Sequence, residues 1–341
     1  MLAVTGCAVT VEEAVEEEAV AFADAHGWTR VSSEELARAQ EIEGVNLRQA
    51  LGAAAIMVAG DDVYRLDSLD VPEELGAFAE SGTAPVSAAA SSDIGVVRSP
   101  VIVGTDDRTP VTSGLRNAPA RQVGRLFTRL VNGGGTITFN RCTGTLIGPR
   151  HVVTSGHCFS PLTNNVMFQP ARNGANNTFP SIFSSFFFVY GTGSTNDIAL
   201  VVFPDTAATA SRGFHKLRTA RSSDEDRSIS IRGYPGANQW CWTAPRASFP
   251  RCGGFMYRSD CELRSVAQEL EYRCDTTGGM SGSGITFVSG RTRYLIGVHK
   301  GEDDDLFVTQ NRAVRIVPNL HFALCTVMHA FPSSFGPLAC A

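Results

Sequence analysis

Residues 274–284 read Cys-Asp-Thr-Thr-Gly-Gly-Met-Ser-Gly-Ser-Gly. The glycines around Ser281 permit a tight turn that exposes the hydroxyl and lets backbone N–H groups point at one spot. Such a turn is common in loops, so its meaning depends on what accompanies it. Upstream, residues 142–158 read Cys-Thr-Gly-Thr-Leu-Ile-Gly-Pro-Arg-His-Val-Val-Thr-Ser-Gly-His-Cys, placing His157 beside a cysteine. Between the two, Asn196-Asp197-Ile198-Ala199-Leu200 leads into Val201, Val202 and Phe203. An aspartate entering an apolar strand is expected to be buried, and a buried carboxylate needs a partner. His157 is the obvious one, with Asp205 as a competitor for the carboxylate role. His151 and His215 lack such context and read as structural.

The order His157, Asp197, Ser281 and the segments around them closely resemble the trypsin-like serine proteases. Within that family the details are similar to the bacterial glutamyl endopeptidases. They include Val101-Ile-Val-Gly-Thr-Asp-Asp-Arg-Thr109, Gly233-Tyr-Pro-Gly236 with Gln239-Trp240 after it, Asp275 to Ser283, and Ile296-Gly-Val-His299. The likeness covers about residues 101–322. It implies an all-β fold of two six-stranded antiparallel barrels with a C-terminal helix. It also implies a Cys142–Cys158 disulfide, whose short loop is worth about 3 kcal/mol on chain-entropy grounds.

The resemblance implies acyl transfer as well. Ser281 would attack the peptide carbonyl, His157 would carry the proton and Asp197 would orient the imidazole, while the N–H groups of Gly279 and Ser281 form an oxyanion hole. No metal and no organic cofactor is expected. His299 and Thr276 stand where glutamyl endopeptidases bind the substrate carboxylate, which favours Glu before the cut. Asp275 stands where trypsin binds Arg or Lys, so that preference is the alternative. Lys300 helps the acidic reading; Glu302, Asp303, Asp304 and Asp305 oppose it if they face the cleft. Gly284 replaces the family's proline and is expected to loosen the strand after the nucleophile. The insert from Cys241 to Cys261 reads as a disulfide-stapled loop. The rival from another class is a catalytically silent binding module on the same scaffold, which predicts loss of a triad member.

The chain has 341 residues and a formal net charge of -5, unevenly spread. Residues 1–100 hold 18 acids, 5 arginines and no lysine, a balance of -13, which leaves +8 for the rest. The two signs suggest an acidic segment that masks or chaperones a basic one, or simply a soluble leader. Scattered arginines without a dense basic run argue against nucleic-acid binding. Eight of the nine cysteines lie after residue 141 and read as a disulfide framework in an oxidising compartment, with zinc as the rival.

The division expected is 1–100 for a leader or propeptide acting in cis and 101–341 for the peptidase domain. Val11 to Leu51 reads helical, with Ser32-Ser33-Glu34-Glu35 as a cap, and 81–92 (SGTAPVSAAASS) reads as an exposed linker. The apolar run Ala50 to Gly60 is too short to span a bilayer. After residue 120 come short β-type runs: 122–131, 136–146, 151–155, 183–189, 198–203, 228–233, 284–287 and 294–299. Ile316, Leu320, Leu324 and Val327 give a helix over 315–328. The product expected is a secreted monomer acting on proteins or peptides. Leu2-Ala3-Val4-Thr5-Gly6-Cys7 leaves open a surface lipoprotein attached through Cys7.

Overall fold

Ser32 caps a helix as its sequence suggests, its hydroxyl accepting the Glu35 N–H at 3.2 Å. The structure, a computed structural model, describes residues 11–42, 47–68, 102–131, 137–160, 163–174, 176–191, 196–206, 212–236, 254–302, 310–334 and 340. Cys7, the 81–92 linker, most of the 241–261 insert and Asp303 to Asp305 lie outside the described residues.

The N-terminal segment, called the leader below, is partly helical and also carries strands. It forms α1 (Val11–Ala25), β1 (Thr29–Arg30), α2 (Ser33–Gln40), α3 (Leu47–Ala50), β2 (Ala55–Ala59) and β3 (Asp62–Leu66). The apolar run expected to be merely short is therefore largely strand β2, with all five residues buried.

The body continues with β4 (Thr109–Pro110), β5 (Val123–Val131), β6 (Ile137–Leu146), β7 (His151–Thr154), β8 (Thr163–Pro170), β9 (Ile182–Ser184), β10 (Phe186–Val189) and β11 (Ala199–Val202). Then come β12 (Lys216–Leu217), β13 (Ser228–Gly233), β14 (Tyr257–Val266), β15 (Glu269–Tyr272), β16 (Gly284–Ser289), β17 (Thr292–Glu302), β18 (Asn311–Arg315) and α4 (Pro318–Ala330). Pro318 sits in the first turn of α4, where its missing N–H costs nothing.

In the second sheet, β17, β16, β13, β14, β15 and β18 are successive neighbours, and β18 pairs back onto β17 to close a six-stranded barrel. Ile231, Leu263, Leu270, Ile285 and Ile296 fill it. The first sheet runs β1-β3-β2-β10-β11-β7-β6-β5-β8-β9. Its ends do not meet in a continuous ladder; instead β9 and β10 follow one another across Ser185, β9 pairing with β8 and β10 with β11. Where two closed barrels were expected, the result is one closed barrel and one curled sheet extended by the leader's strands.

Phe186, Phe187 and Phe188 are all buried, which a half-exposed strand could not achieve, because alternate side chains face opposite sides. Phe187 meets Phe159 inside the sheet at 4.6 Å between ring centres. Phe186 and Phe188 face the other way, onto Phe331 after α4, with Phe22 of α1 against Phe188. Burying each such ring is worth about 1.5 to 3 kcal/mol. Glu18 of α1 attracts Arg150 of the body without a direct ion pair. Arg30–Asp62, Arg38–Glu34 and Arg65–Glu35 are all internal to the leader, and no ion pair crosses to the body among the described residues.

Candidate active site

β7 and β11 are antiparallel neighbours, with Thr154 opposite Ala199. The chain leaving β7 and the chain entering β11 therefore lie side by side. His157 is three residues past the first and Asp197 two before the second, so the pairing brings them together. His157 Nδ1 lies 2.6 Å from Asp197 Oδ2, and the His157 backbone N–H donates to Oδ1 at 2.7 Å. Asp205 is not in this arrangement; it accepts from Ser333 and Ser334. The Cys142–Cys158 disulfide, with 6.4 Å between Cα atoms, and the Thr128 hydroxyl on the Cys158 carbonyl hold the turn that carries the ring. Burial opposes charge on His157, but attraction to Asp197 and their hydrogen bond outweigh it, so its pKa is raised. With its Nδ1 hydrogen on the carboxylate, the neutral ring presents Nε2 as its base.

Ser281 lies in the loop between β15 and β16, and Thr143 of β6 fixes that loop from the other sheet. The Thr143 N–H donates to the Ser281 carbonyl at 2.8 Å and its hydroxyl to the Gly279 carbonyl at 2.9 Å. Those carbonyls are thereby occupied, while the N–H groups of Gly279 and Ser281 have no protein acceptor among the described residues. The His299 carbonyl accepts both the Ser155 hydroxyl, at 2.7 Å, and the Gly282 N–H, at 2.8 Å. One oxygen thus ties the segment two residues before His157 to the residue after Ser281. The structure shows no hydrogen bond from the Ser281 hydroxyl to His157.

Gly282 has φ +89, and a Cβ on it would lie 2.1 Å from the Thr143 carbonyl oxygen and 2.2 Å from Thr154 Oγ1. Gly282→Ala is expected to cost about 2 to 5 kcal/mol from left-handed backbone and overpacking combined. Urea unfolding measures it; an unchanged midpoint would show that the loop relaxes freely. Gly284 departs from expectation. Its N–H, which a proline would lack, donates to Thr145 Oγ1 at 3.0 Å, so the strand is tied rather than loosened.

The residues named for specificity fall into two groups. His299 is fully buried, with Tyr272 Oη 2.6 Å from Nδ1 and no partner for Nε2 among the described residues. The Tyr272 hydrogen also has the Arg312 carbonyl in reach at 3.2 Å; donated along the shorter contact, it leaves the ring's own hydrogen on Nε2. Burial, then repulsion from His157 and Lys300, lowers the His299 pKa to about 3, so the ring is neutral in ordinary conditions. Thr276 donates to Asn311 Oδ1 at 2.8 Å, and Asn311 Nδ2 donates to the Cys274 carbonyl at 2.8 Å.

Asp275 belongs elsewhere. Its Oδ1 accepts the Val103 N–H at 2.7 Å and its Oδ2 the Asp107 N–H at 2.8 Å. Burial raises its pKa, with the neighbouring Asp107 carboxylate adding to the rise against these hydrogen bonds. Both oxygens are engaged on the segment before β4, so a basic substrate side chain would share Asp275 with these two N–H groups. Arg108 of the same segment donates to Thr277 Oγ1 at 2.6 Å. Lys300 is ion-paired with Glu269 and is not a free cation for the substrate. Cys261 bonds to Cys274, and Cys325 to Cys340, so Cys261 does not staple the insert to itself. The sulfurs nearest His157 are in a disulfide and offer no thiolate for a metal. Sequence reasoning missed Thr143, Ser155, Tyr272, Asn311 and Arg108; each acts through a tertiary contact that no local pattern encodes.

The family described as trypsin-like peptidase domain matches residues 142–318, more than half of the chain, and the chain belongs to that family. A glutamyl endopeptidase of Bacillus licheniformis is 27% identical over 197 residues, 54% of this chain and 54% of that one. An extracellular metalloprotease of Bacillus subtilis is 28% identical over 196 residues, 54% of this chain and 56% of that one. The chain thus spans about half the length of the curated relatives it matches. A solved structure of a Glu endopeptidase in complex with MPD superposes with a TM-score of 0.53 at 23% identity, covering 67% of this chain and 100% of that one, a likeness of fold.

Proposed function

We propose that the chain is a secreted serine endopeptidase that hydrolyses proteins after glutamate. The observation that carries this reading is the His157–Asp197 pair, 2.6 Å apart, tied through one carbonyl to the loop of Ser281. In this mechanism His157 Nε2 takes the Ser281 proton as the serine oxygen attacks the peptide carbonyl, and Asp197 stabilises the imidazolium so formed. The oxyanion is met by the N–H groups of Gly279 and Ser281, whose peptide planes are held through the Gly278 carbonyl, which accepts the Gly236 N–H at 2.5 Å, and the Met280 carbonyl, which accepts the Ser283 N–H at 3.0 Å. His157 then protonates the leaving amine, and water repeats the sequence to release the acid. No metal or organic cofactor takes part, and the peptidase works as a monomer.

The Glu preference rests on a neutral His299 in the tautomer that accepts the Tyr272 hydrogen at Nδ1; its Nε2–H, with no partner among the described residues, is then the type of donor a buried substrate carboxylate requires. Tyr272 orients that donor. Thr276 spends its one hydroxyl hydrogen on Asn311, so it meets a substrate carboxylate only if that hydrogen turns away from Asn311. Three disulfides among the described residues favour an oxidising compartment outside the cell. No helix among the described residues is long and apolar enough to cross a membrane.

The test is digestion of a denatured protein by the enzyme beside its Ser281→Ala variant, with cut sites read by mass spectrometry. Cuts after Glu, made only by the Ser281 form, are expected. Cuts after Arg or Lys would revive the basic-substrate reading, and no cutting by either form would support the silent scaffold. His299→Leu is expected to lower kcat/KM on a Glu substrate by about 10²-fold, the loss of one hydrogen bond to a buried charge. Cleavage after an uncharged residue should change little, and an equal loss on both substrates would assign His299 to the fold alone.

A further inference from the structure

Removing residues 11–68 from this molecule would do more than uncover a site. β2 is laid antiparallel along β10 with Ala59 opposite Phe186, Val58 opposite Phe187, Met57 opposite Phe188 and Ile56 opposite Val189. This is the stretch at which β9 has left the ladder, so β10 has no other neighbour on that edge. β3 and then β1 extend the same sheet. On the outer face, α1 contributes Ala19, Phe22 and Ala23 to one apolar cluster with Phe186, Phe188, Leu324 and Phe331. On the inner face, Leu47, Ile56 and Val58 share a cluster with Phe159, Phe187 and Val189. The leader therefore supplies both a missing strand and parts of two cores. It makes no hydrogen bond or ion pair to His157, Asp197 or Ser281 among the described residues.

We infer that residues 11–68 are a permanent strand-donating subunit of the peptidase: once the chain is cut between this segment and the body, they stay bound, with the active site open. A segment that inhibits by blocking the site has to reach the catalytic residues. What is found is a backbone ladder backed by aromatic packing, whose loss would leave an unpaired strand edge lined by three phenylalanines, a strongly aggregation-prone surface. Cutting is hydrolysis, so the new ends carry only an amine and a carboxylate, and no contact in the ladder is spent. The inference enlarges the reading above, but its readouts do not use peptidase activity.

The experiment uses the full chain with a site-specific protease sequence inserted after Ser91, in the Ser281→Ala background so that self-digestion does not enter. After folding and cutting, the two fragments are expected to elute together on size exclusion in native buffer and to part only in denaturant. Fragments that separate in native buffer, whether the body then stays folded or aggregates, overturn the inference. Hydrogen exchange on the uncut Ser281→Ala chain gives an answer that needs no insertion. The amides of β2 are expected to exchange as slowly as those of β11, within about tenfold, because both open only with the whole molecule. Exchange of β2 more than 100-fold faster than β11 would mean that the leader lifts off by itself, and would equally overturn it.

Discussion

Ser281→Ala is expected to lower kcat by about 10⁶-fold on a Glu substrate, leaving KM within a few-fold of its starting value. The nucleophile is removed, while the backbone N–H groups and His299 remain, so binding survives and chemistry does not. Asp197→Asn probes the same chain of contacts from its far end. An amide can accept from the His157 backbone N–H, but as a neutral group it no longer favours the imidazolium and can hold the ring in the wrong tautomer, which costs about 10⁴-fold in kcat.

The pH profile separates these two losses. His157 acts as a base only when neutral, and its pKa is raised, so the acid limb of kcat/KM is expected above the ordinary histidine value of about 6.5. In Asp197→Asn the attraction that raised it is gone while burial remains, and the limb moves to lower pH even as the rate falls. A limb that stays in place in that variant would mean that another group sets it.

The second large effect is on stability in acid. His151, His215 and His299 are each fully buried, and burial leads the list of causes that hold all three at a pKa of about 3. In the unfolded chain each returns to about 6.5. Between those values the unfolded state binds up to three protons that the native state refuses, so stability falls as pH falls through the window. Across its middle, near pH 5 to 4, the three together are expected to remove about 4 kcal/mol per pH unit. His157 does not offset this slope. Its pKa is raised, so its stabilising contribution is complete below the unfolded value and is lost only as pH rises through the folded one. Asp275, also raised, opposes the trend near the acid end. Urea melts from pH 7 to 4 read the slope directly, and His215→Phe should flatten it by about a third, one group of three. A midpoint constant over that range would mean that these rings find partners or water on protonation.

The three chemical segments were legible because their meaning is local: a cysteine bonded within 16 residues, a glycine-rich turn, and an aspartate before an apolar strand. The terminal helix was legible from the spacing of Leu320, Leu324 and Val327, all of which are buried. The leader's hairpin was not. Ala-Ala-Ala-Ile-Met-Val-Ala suits a buried helix as well as a buried strand, and what decides is the free edge of β10, more than 120 residues away. β14 was missed for the opposite reason. Its charges masked an alternation that is plain afterwards: Arg258, Asp260, Glu262 and Arg264 face outward while Ser259 and Leu263 face in. The role of Asp275 could not be read locally either, since its partners Val103 and Asp107 lie 172 and 168 residues away. The pairing of Tyr272 with His299 depends on β18, which lies between their strands.

Thr143 has a consequence for the enzyme's own survival. It belongs to the first sheet, yet two of its polar atoms set the height and tilt of the nucleophile turn in the second barrel. A molecule in which only one half has folded therefore has its serine out of alignment. On the activity proposed above, a newly made or partly opened copy could be cut before it could cut. On that same activity, damaged copies would be substrates for whole ones without attacking them in turn.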